Sequence, residues 1–258
     1  MVAAFYPLAF AAQRIGGAEV QVEDLTPAGA EPHDLELTPR QVARVRSADV
    51  VLYLGHHFQP AVADAVEGAS GETVDLLAGL PLASSTEPEE GLTADPHVWL
   101  EPILYARVAS RIGDVLDRRE AAQRLASRLH NLDAEFRRGL ARCARHEVVT
   151  SHAAFGYLTK RYGLRQVPIT GLNPEAEPTP KDLSRVIGVV KRTHATTIFS
   201  EELLSPRVAR TVAREVGART AVLSPIEGLT PDERARGDDY FALMRRNLAA
   251  MRRALGCR

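Results

Sequence analysis

Asp95-Pro96-His97-Val98-Trp99-Leu100-Glu101-Pro102 holds the only tryptophan of the chain and sets a histidine between a proline and a bulky apolar pair. Pro96 biases Asp95 toward an extended backbone, because its ring crowds the residue before it. Pro102 suits the first turn of a helix, where its missing N–H costs nothing. His97 is therefore expected on a short, stiffened loop just before a helix, with Trp99 available to bury and anchor that loop. A single histidine in such a setting is more often structural than a ligand. Two others in matching settings change its meaning.

Outward toward the N-terminus, residues 2–4 read as a short strand, 7–15 as a helix closed by Gly16-Gly17, and 20–25 as an alternating strand. A loop with Pro27, Gly29 and Pro32 then runs into His33-Asp34. Thr38-Pro39 supplies an N-cap and an N1 proline for a helix through about residue 45. Residues 49–54 form an apolar run of strand length, as expected of a parallel strand buried on both faces. A helix at 60–66, a strand at 73–77 and a polar, acidic loop at 84–90 follow. This alternation predicts a parallel sheet covered by helices.

Toward the C-terminus, helices are expected at 102–116 and 120–143. In the second, Leu125, Leu129, Leu132, Phe136, Leu140 and Cys143 recur at steps of four and three, one apolar stripe on a long helix. A helix of about 24 residues spans roughly 36 Å. That is long for a crossover in a small α/β domain, so it reads as a strut joining two lobes. Beyond it a strand at 148–150 runs into Ser151-His152, followed by a helix at 153–162 stopped at Gly163. Then come a strand at 167–170, a loop at 171–178, a helix opened by Thr179-Pro180 and a strand at 197–200. A helix opened by Ser205-Pro206, a strand at 220–223, a loop at 224–239 and a terminal helix at 240–255 complete the chain. The expected division is an α/β lobe at 1–118, a linking helix at 119–145 and a second α/β lobe at 146–258. One internal echo supports two similar lobes: Glu36-Leu-Thr-Pro-Arg-Gln-Val resembles Glu177-Pro-Thr-Pro-Lys-Asp-Leu.

The totals exclude several functions. With 258 residues, 45% apolar and 25% charged, the composition is that of a soluble globular protein. Lys and Arg number 32 against 33 Asp and Glu, so no global field recruits nucleic acid or an anionic membrane. No apolar run approaches the roughly 18 residues that span a bilayer. The opening Met1-Val2-Ala3-Ala4-Phe5-Tyr6 lacks a basic n-region and a long apolar stretch. It fits a cytosolic protein, or one starting where a removed signal peptide would have ended. Cys143 and Cys257 have no CxxC spacing and make neither a zinc ribbon nor a redox motif. They read either as two buried thiols or as one disulfide tying the C-terminus to the body in an oxidising compartment.

Of the eight histidines, His130, His146 and His194 sit among polar residues and read as solvated. His33, His97 and His152 each lie on a loop or at the carboxyl end of a strand, before an expected helix. Ligands of α/β sheets gather at the carboxyl ends of strands, so these three can converge on a cleft between lobes, and neutral imidazoles are good zinc ligands. His56-His57 follows a strand as well, but adjacent side chains diverge. Asp34, Glu36, Asp95, Glu175 and Glu177 read as caps, ion-pair partners or acceptors for imidazole N–H groups.

Pro32-His33-Asp34-Leu35-Glu36-Leu37-Thr38-Pro39, Asp95-Pro96-His97-Val98-Trp99-Leu100 and Thr150-Ser151-His152-Ala153-Ala154-Phe155-Gly156-Tyr157 stand in this order. Phe199-Ser-Glu-Glu-Leu-Leu-Ser-Pro206 and Pro225-Ile-Glu-Gly228 follow. Together they resemble the metal-binding subunits of bacterial zinc and manganese ABC importers, and the resemblance runs from Ala4 to Leu255. It implies two α/β lobes with parallel sheets, joined by a long rigid helix, with the metal held in the cleft between them. By position, the ligands it implies are His33, His97, His152 and a carboxylate. Manganese members carry an acidic residue where this chain has His152, and many members carry an Asp where it has Ser224-Pro225. Glu227 is then taken as the fourth ligand, with water as the alternative. Three imidazoles and a carboxylate favour Zn2+ over manganese or iron. Some zinc members carry a long His-rich acidic loop where this chain has only the short segment 84–90.

The resemblance implies a monomeric protein, periplasmic or on the outer side of the membrane, that captures zinc and delivers it to an ABC transporter permease. A zinc-dependent hydrolase is the competing class. No HExxH motif is present, no G-x-S-x-G elbow surrounds Ser151, and four protein ligands close the position a catalytic water needs. No enzyme activity is expected.

Overall fold

A computed structural model describes residues 1–84 and 92–258; beyond Ser84, the acidic loop expected at 84–90 lies outside the described residues. The chain divides into two compact units, Met1–Asn131 with Ile226–Tyr240, and Leu132–Pro225 with Phe241–Arg258. No helix among the described residues is long and apolar enough to cross a membrane.

The first unit contains β1 (Val2–Ala3), α1 (Tyr6–Gly16), β2 (Glu23–Asp24), α2 (Pro39–Ser47), β3 (Val50–Tyr53), α3 (Pro60–Val66), β4 (Glu72–Asp75) and α4 (Pro102–Val115). Its four strands lie in the order β2-β1-β3-β4, all parallel. Val2 stands opposite Val51 and Ala3 opposite Leu52, and all four are buried because helices cover the sheet. The alternating stretch 20–25 forms a strand only over Glu23–Asp24, since β2 is an edge with a single partner. Trp99 is 1% exposed. Its ring meets Phe5 edge-on at 4.9 Å, and its carbonyl accepts a hydrogen bond of 2.6 Å from the Tyr240 hydroxyl. The loop before α4 is thus anchored through Trp99, as its sequence predicts.

Helix α5 (Arg119–Gly139) carries the apolar stripe, and Leu125, Leu129, Leu132 and Phe136 are all buried. The boundary between the units falls within it, after Asn131. The helix stops at Gly139 rather than continuing to Cys143. A Cβ at Gly139 would stand 3.0 Å from Leu248 Cδ1, so glycine permits a close approach there at the cost of helix propensity.

The second unit holds β5 (Glu147–Thr150), α6 (Gly156–Arg161), β6 (Arg165–Pro168), α7 (Pro180–Thr193), β7 (Thr197–Ser200), α8 (Arg207–Val216) and β8 (Arg219–Val222). Helix α9 (Pro231–Ala235) belongs to the first unit, and all but the first residue of α10 (Tyr240–Leu255) to the second. The second sheet runs β6-β5-β7-β8, again parallel. Each sheet therefore repeats one order, with its first strand inside and its second at an edge. Val149, Val186, Val190, Ile198 and Val212 form the centre of the second core.

The sequence echo is structural. Thr38 caps α2 with Gln41, and Thr179 caps α7 with Asp182, each as a reciprocal capping box followed by proline at N1. Each helix leads into the third strand of its unit. The loop expected at 224–239 is interrupted by α9, which uses the same device: Thr230 caps it with Glu233, ahead of Pro231. Cys143 and Cys257 are joined as a disulfide, which decides between the two readings of these cysteines.

Candidate metal centre

His33 lies on the loop between β2 and α2. Its backbone N–H donates to Glu31 Oε1 at 3.1 Å, and Gln59 Nε2 donates to the Pro32 carbonyl at 3.1 Å. The Phe58 ring packs edge-on against the imidazole at 4.7 Å. These contacts leave the ring buried and fixed.

His97 precedes a 3-10 turn, Val98–Leu100, that feeds α4. Asp95 Oδ1 accepts both its backbone N–H at 2.9 Å and its Nδ1 at 2.8 Å. One carboxylate oxygen thus fixes both the turn and the ring. With Nδ1 as donor, Nε2 keeps its lone pair outward. Burial lowers the imidazole's proton affinity, but Asp95 and Glu227 more than offset this, and its pKa lies above the ordinary value.

Glu227 follows β8 on a segment whose second residue, Ser224, is clamped by Asn247. The Asn247 side chain accepts from the Ser224 N–H at 2.8 Å and donates to its carbonyl at 2.7 Å. Ile226 then takes a positive φ of 56°. Gly29 N–H donates to the Leu229 carbonyl at 3.0 Å, tying this segment to the His33 loop. Glu227 is 2% exposed. Its Oε1 lies 3.1 Å from His97 Nε2 and 3.4 Å from His33 Nε2. The first unit therefore gathers two imidazole nitrogens and a carboxylate oxygen, mutually within 4.8 Å, in a buried place. Such groups are seldom buried without a role, because each costs desolvation. Two nitrogens and an oxygen are the donor types a Zn2+ ion takes, at metal–ligand distances near 2.0–2.2 Å.

His152 belongs to the second unit, two residues past the end of β5, and is fully buried. Its carbonyl accepts from Thr150 Oγ1 at 2.7 Å and Gln166 Nε2 at 2.8 Å. Its ring Nδ1 donates to Glu201 Oε1 at 2.7 Å, which places the lone pair of the neutral ring on Nε2. The helix expected at 153–162 forms only over Gly156–Arg161. Residues before it are spent on shaping the turn, with the Ala153 N–H bonded to the Gly171 carbonyl at 2.8 Å.

His56 and His57 both adopt left-handed backbone, with φ of 59°, and both are exposed; His56 Nδ1 pairs with Thr93 Oγ1 at 2.7 Å. Neither belongs to the cluster. Asp95 is an acceptor for an imidazole N–H, as its sequence position suggests. Glu201 has the same role and was hidden, although it stands in the Phe199–Pro206 motif directly after a strand. Its partner is 49 residues away, and no local pattern connects them.

Two parallel-sheet units with buried imidazoles on the segments that lead into helices, one set beside a buried glutamate, define a metal-binding α/β protein. The family can be given more closely. The model of the ZnuA family, described as zinc-uptake complex component A, periplasmic, matches residues 1–254, and the chain belongs to that family. It is a family of transport components. The chain is 32% identical to the zinc-binding lipoprotein AdcA of Streptococcus pneumoniae over 98% of its own length, but spans only 55% of that protein. It is 32% identical to the high-affinity zinc uptake system protein ZnuA of Bacillus subtilis, over 99% of this chain and 87% of the relative. Among solved structures, the Zn(II)-bound ZnuA-like domain of Streptococcus pneumoniae AdcA superposes with a TM-score of 0.81. It shares 32% identity, over 98% of this chain and 97% of that domain. The two-lobed α/β architecture implied by the sequence motifs is that of these structures.

Proposed function

We propose that this chain captures Zn2+ outside the cytoplasmic membrane and hands it to the permease of an ABC transporter. His33, His97, His152 and Glu227 hold the ion. In this proposal the lobes at 1–118 and 146–258 are joined by 119–145, the protein acts as a monomer, and it turns over no substrate. The observation that carries it is the pairing of His33 Nε2 and His97 Nε2 on one buried oxygen of Glu227. That oxygen is a charged acceptor aimed where a cation would neutralise it. His152 supplies the third imidazole, its lone pair set on Nε2 by the bond from Nδ1 to Glu201. Three nitrogens and one oxygen suit zinc better than manganese, which prefers oxygen-rich sites. A set of four protein ligands also fills the position that a hydrolytic water would need. The relatives named for zinc binding and zinc uptake support the choice of cargo.

The test is competition of the metal-free protein against a chromophoric zinc chelator, with elemental analysis of protein purified without added metal. One Zn2+ per chain is expected. Replacing His33, His97 or His152 with Ala should each weaken binding by about a hundredfold or more, equivalent to about 2.7 kcal/mol. Unchanged affinity in two of the three variants would overturn the ligand set.

A further inference from the structure

Glu201 is not among the proposed ligands, yet it is 6% exposed and sits directly after β7 at the carboxyl end of the second sheet. Its Oε1 accepts from the Ser151 hydroxyl, from the His152 backbone N–H at 3.3 Å and from His152 Nδ1 at 2.7 Å. Its Oε2 is buried with no hydrogen-bond partner among the described residues. A buried carboxylate with one oxygen unused costs free energy that a glutamine or an apolar residue would avoid. A role for the charge accounts for its retention.

The geometry points to Glu201 as the positioning residue for His152. This inference rests on the proposal that His152 binds zinc. A neutral imidazole has one N–H and one lone pair. Glu201 takes the N–H at Nδ1, so the lone pair stays on Nε2, the atom a metal needs. The carboxylate also makes that lone pair more basic and strengthens donation to a cation. Asp95 performs the same service for His97 from two residues away, where the turn itself brings the groups together. Glu201 reaches His152 from a neighbouring strand, because β5 and β7 pair directly, with Thr150 opposite Phe199. The orientation of the ring is thereby set by the sheet rather than by its own loop. Three donors on a single oxygen also leave the ring little freedom to flip.

Two measurements test this. In metal-free wild-type protein, 15N–1H correlation spectra of the imidazoles, assigned with the His152→Ala variant, should show His152 protonated at Nδ1 and not at Nε2. A proton on Nε2 would overturn the proposal without any variant. The second measurement compares zinc affinity in Glu201→Gln, which keeps the volume but loses the charge. The amide can now donate to Nδ1, which forces the proton onto Nε2. A 10–100-fold loss of affinity is expected, together with a shift of His152 toward the Nε2–H tautomer. A merely structural role would lower the melting temperature and leave the tautomer unmoved. Affinity equal to wild type in folded Glu201→Gln would refute the role. Should that variant not fold, the wild-type tautomer decides. Wild-type protein that binds no zinc overturns the function proposed above, and is told apart from a failure of Glu201 because it appears before any substitution.

Discussion

Removing the Cys143–Cys257 disulfide should cost the protein several kcal/mol, and the cost follows from chain topology. The two residues are 114 positions apart. For a closed loop of about 115 residues, the loop-closure model gives an entropy of about −16 cal/mol/K, or about 4.8 kcal/mol at 25 °C. Both side chains are only partly buried, so replacing them with Ala removes little packing. The C-terminus is also held by backbone bonds, Arg258 N–H to the Arg142 carbonyl at 3.0 Å and Arg145 N–H to the Leu255 carbonyl at 3.1 Å. These act in the folded state and leave the unfolded chain free, so they do not substitute for the crosslink. The assay is guanidinium denaturation followed by far-UV circular dichroism, on oxidised wild type, reduced wild type and the Cys143→Ala/Cys257→Ala double variant. The last two should agree with each other, lie about 3–5 kcal/mol below the first, and show a larger m-value because the unfolded chain expands. A loss under about 1 kcal/mol in both would refute the entropic reasoning.

Two further predictions concern buried carboxylates. Burial pushes the Asp24 pKa up to about 7, against the opposing Thr26 N–H and Arg234. The folded state therefore keeps a proton between about pH 4 and 7 that the unfolded state has lost, and stability falls as pH rises through that window. Asp24→Asn should match wild type near pH 4 and exceed it at pH 8, by at most about 4 kcal/mol at 1.36 kcal/mol per unit; thermal melts with a pH-independent difference would contradict this. Burial also pushes Asp133 up, but Arg161 at 2.5 Å, Arg137 at 3.1 Å and the Tyr162 hydroxyl at 3.0 Å outweigh it and hold its pKa at about 2. Its contribution is present above about pH 4 and lost as pH falls toward 2. Asp133→Asn should thus cost about 2 kcal/mol at pH 7 and much less at pH 2.5, and an equal cost at both would show that the charge is not what matters.

Much of the architecture is legible because its signals are local. The apolar run at β3 and the Thr-Pro starts of α2 and α7 each depend on a few adjacent residues. The positions of His33, His97 and His152 follow from their place on loops or a strand end ahead of helices, a rule that needs only the order of elements. Helix α9 carries the same Thr-Pro signal at Thr230-Pro231. With only five residues it shows no helical period, and the surrounding Pro225, Gly228 and Gly237 read as loop punctuation. Glu201 escaped for a different reason, since its partner is set by which strands pair, and strand order is not written in any one segment. The cysteine pairing was undecided for the same cause: two thiols far apart in sequence meet only through the fold.

Ile226 sets a limit on how the segment bearing Glu227 can change. Its φ of 56° is the conformation a β-branched residue tolerates worst, at a cost of order 1–3 kcal/mol. Yet its side chain is fully buried, and losing an isoleucine side chain from a core costs about 2–5 kcal/mol. Glycine would satisfy the backbone and forfeit the packing; valine would keep part of the packing and leave the backbone no easier; leucine, unbranched at Cβ, would ease the backbone but misplace the buried methyl groups. None of these substitutions meets both demands. The position is a local optimum from which one-step paths lead downhill in stability, and the carboxylate beside it inherits that immobility. Under the ligand set proposed above, a lineage that needed to move its carboxylate donor would have an easier route through a neighbour such as Ser224 than through this turn.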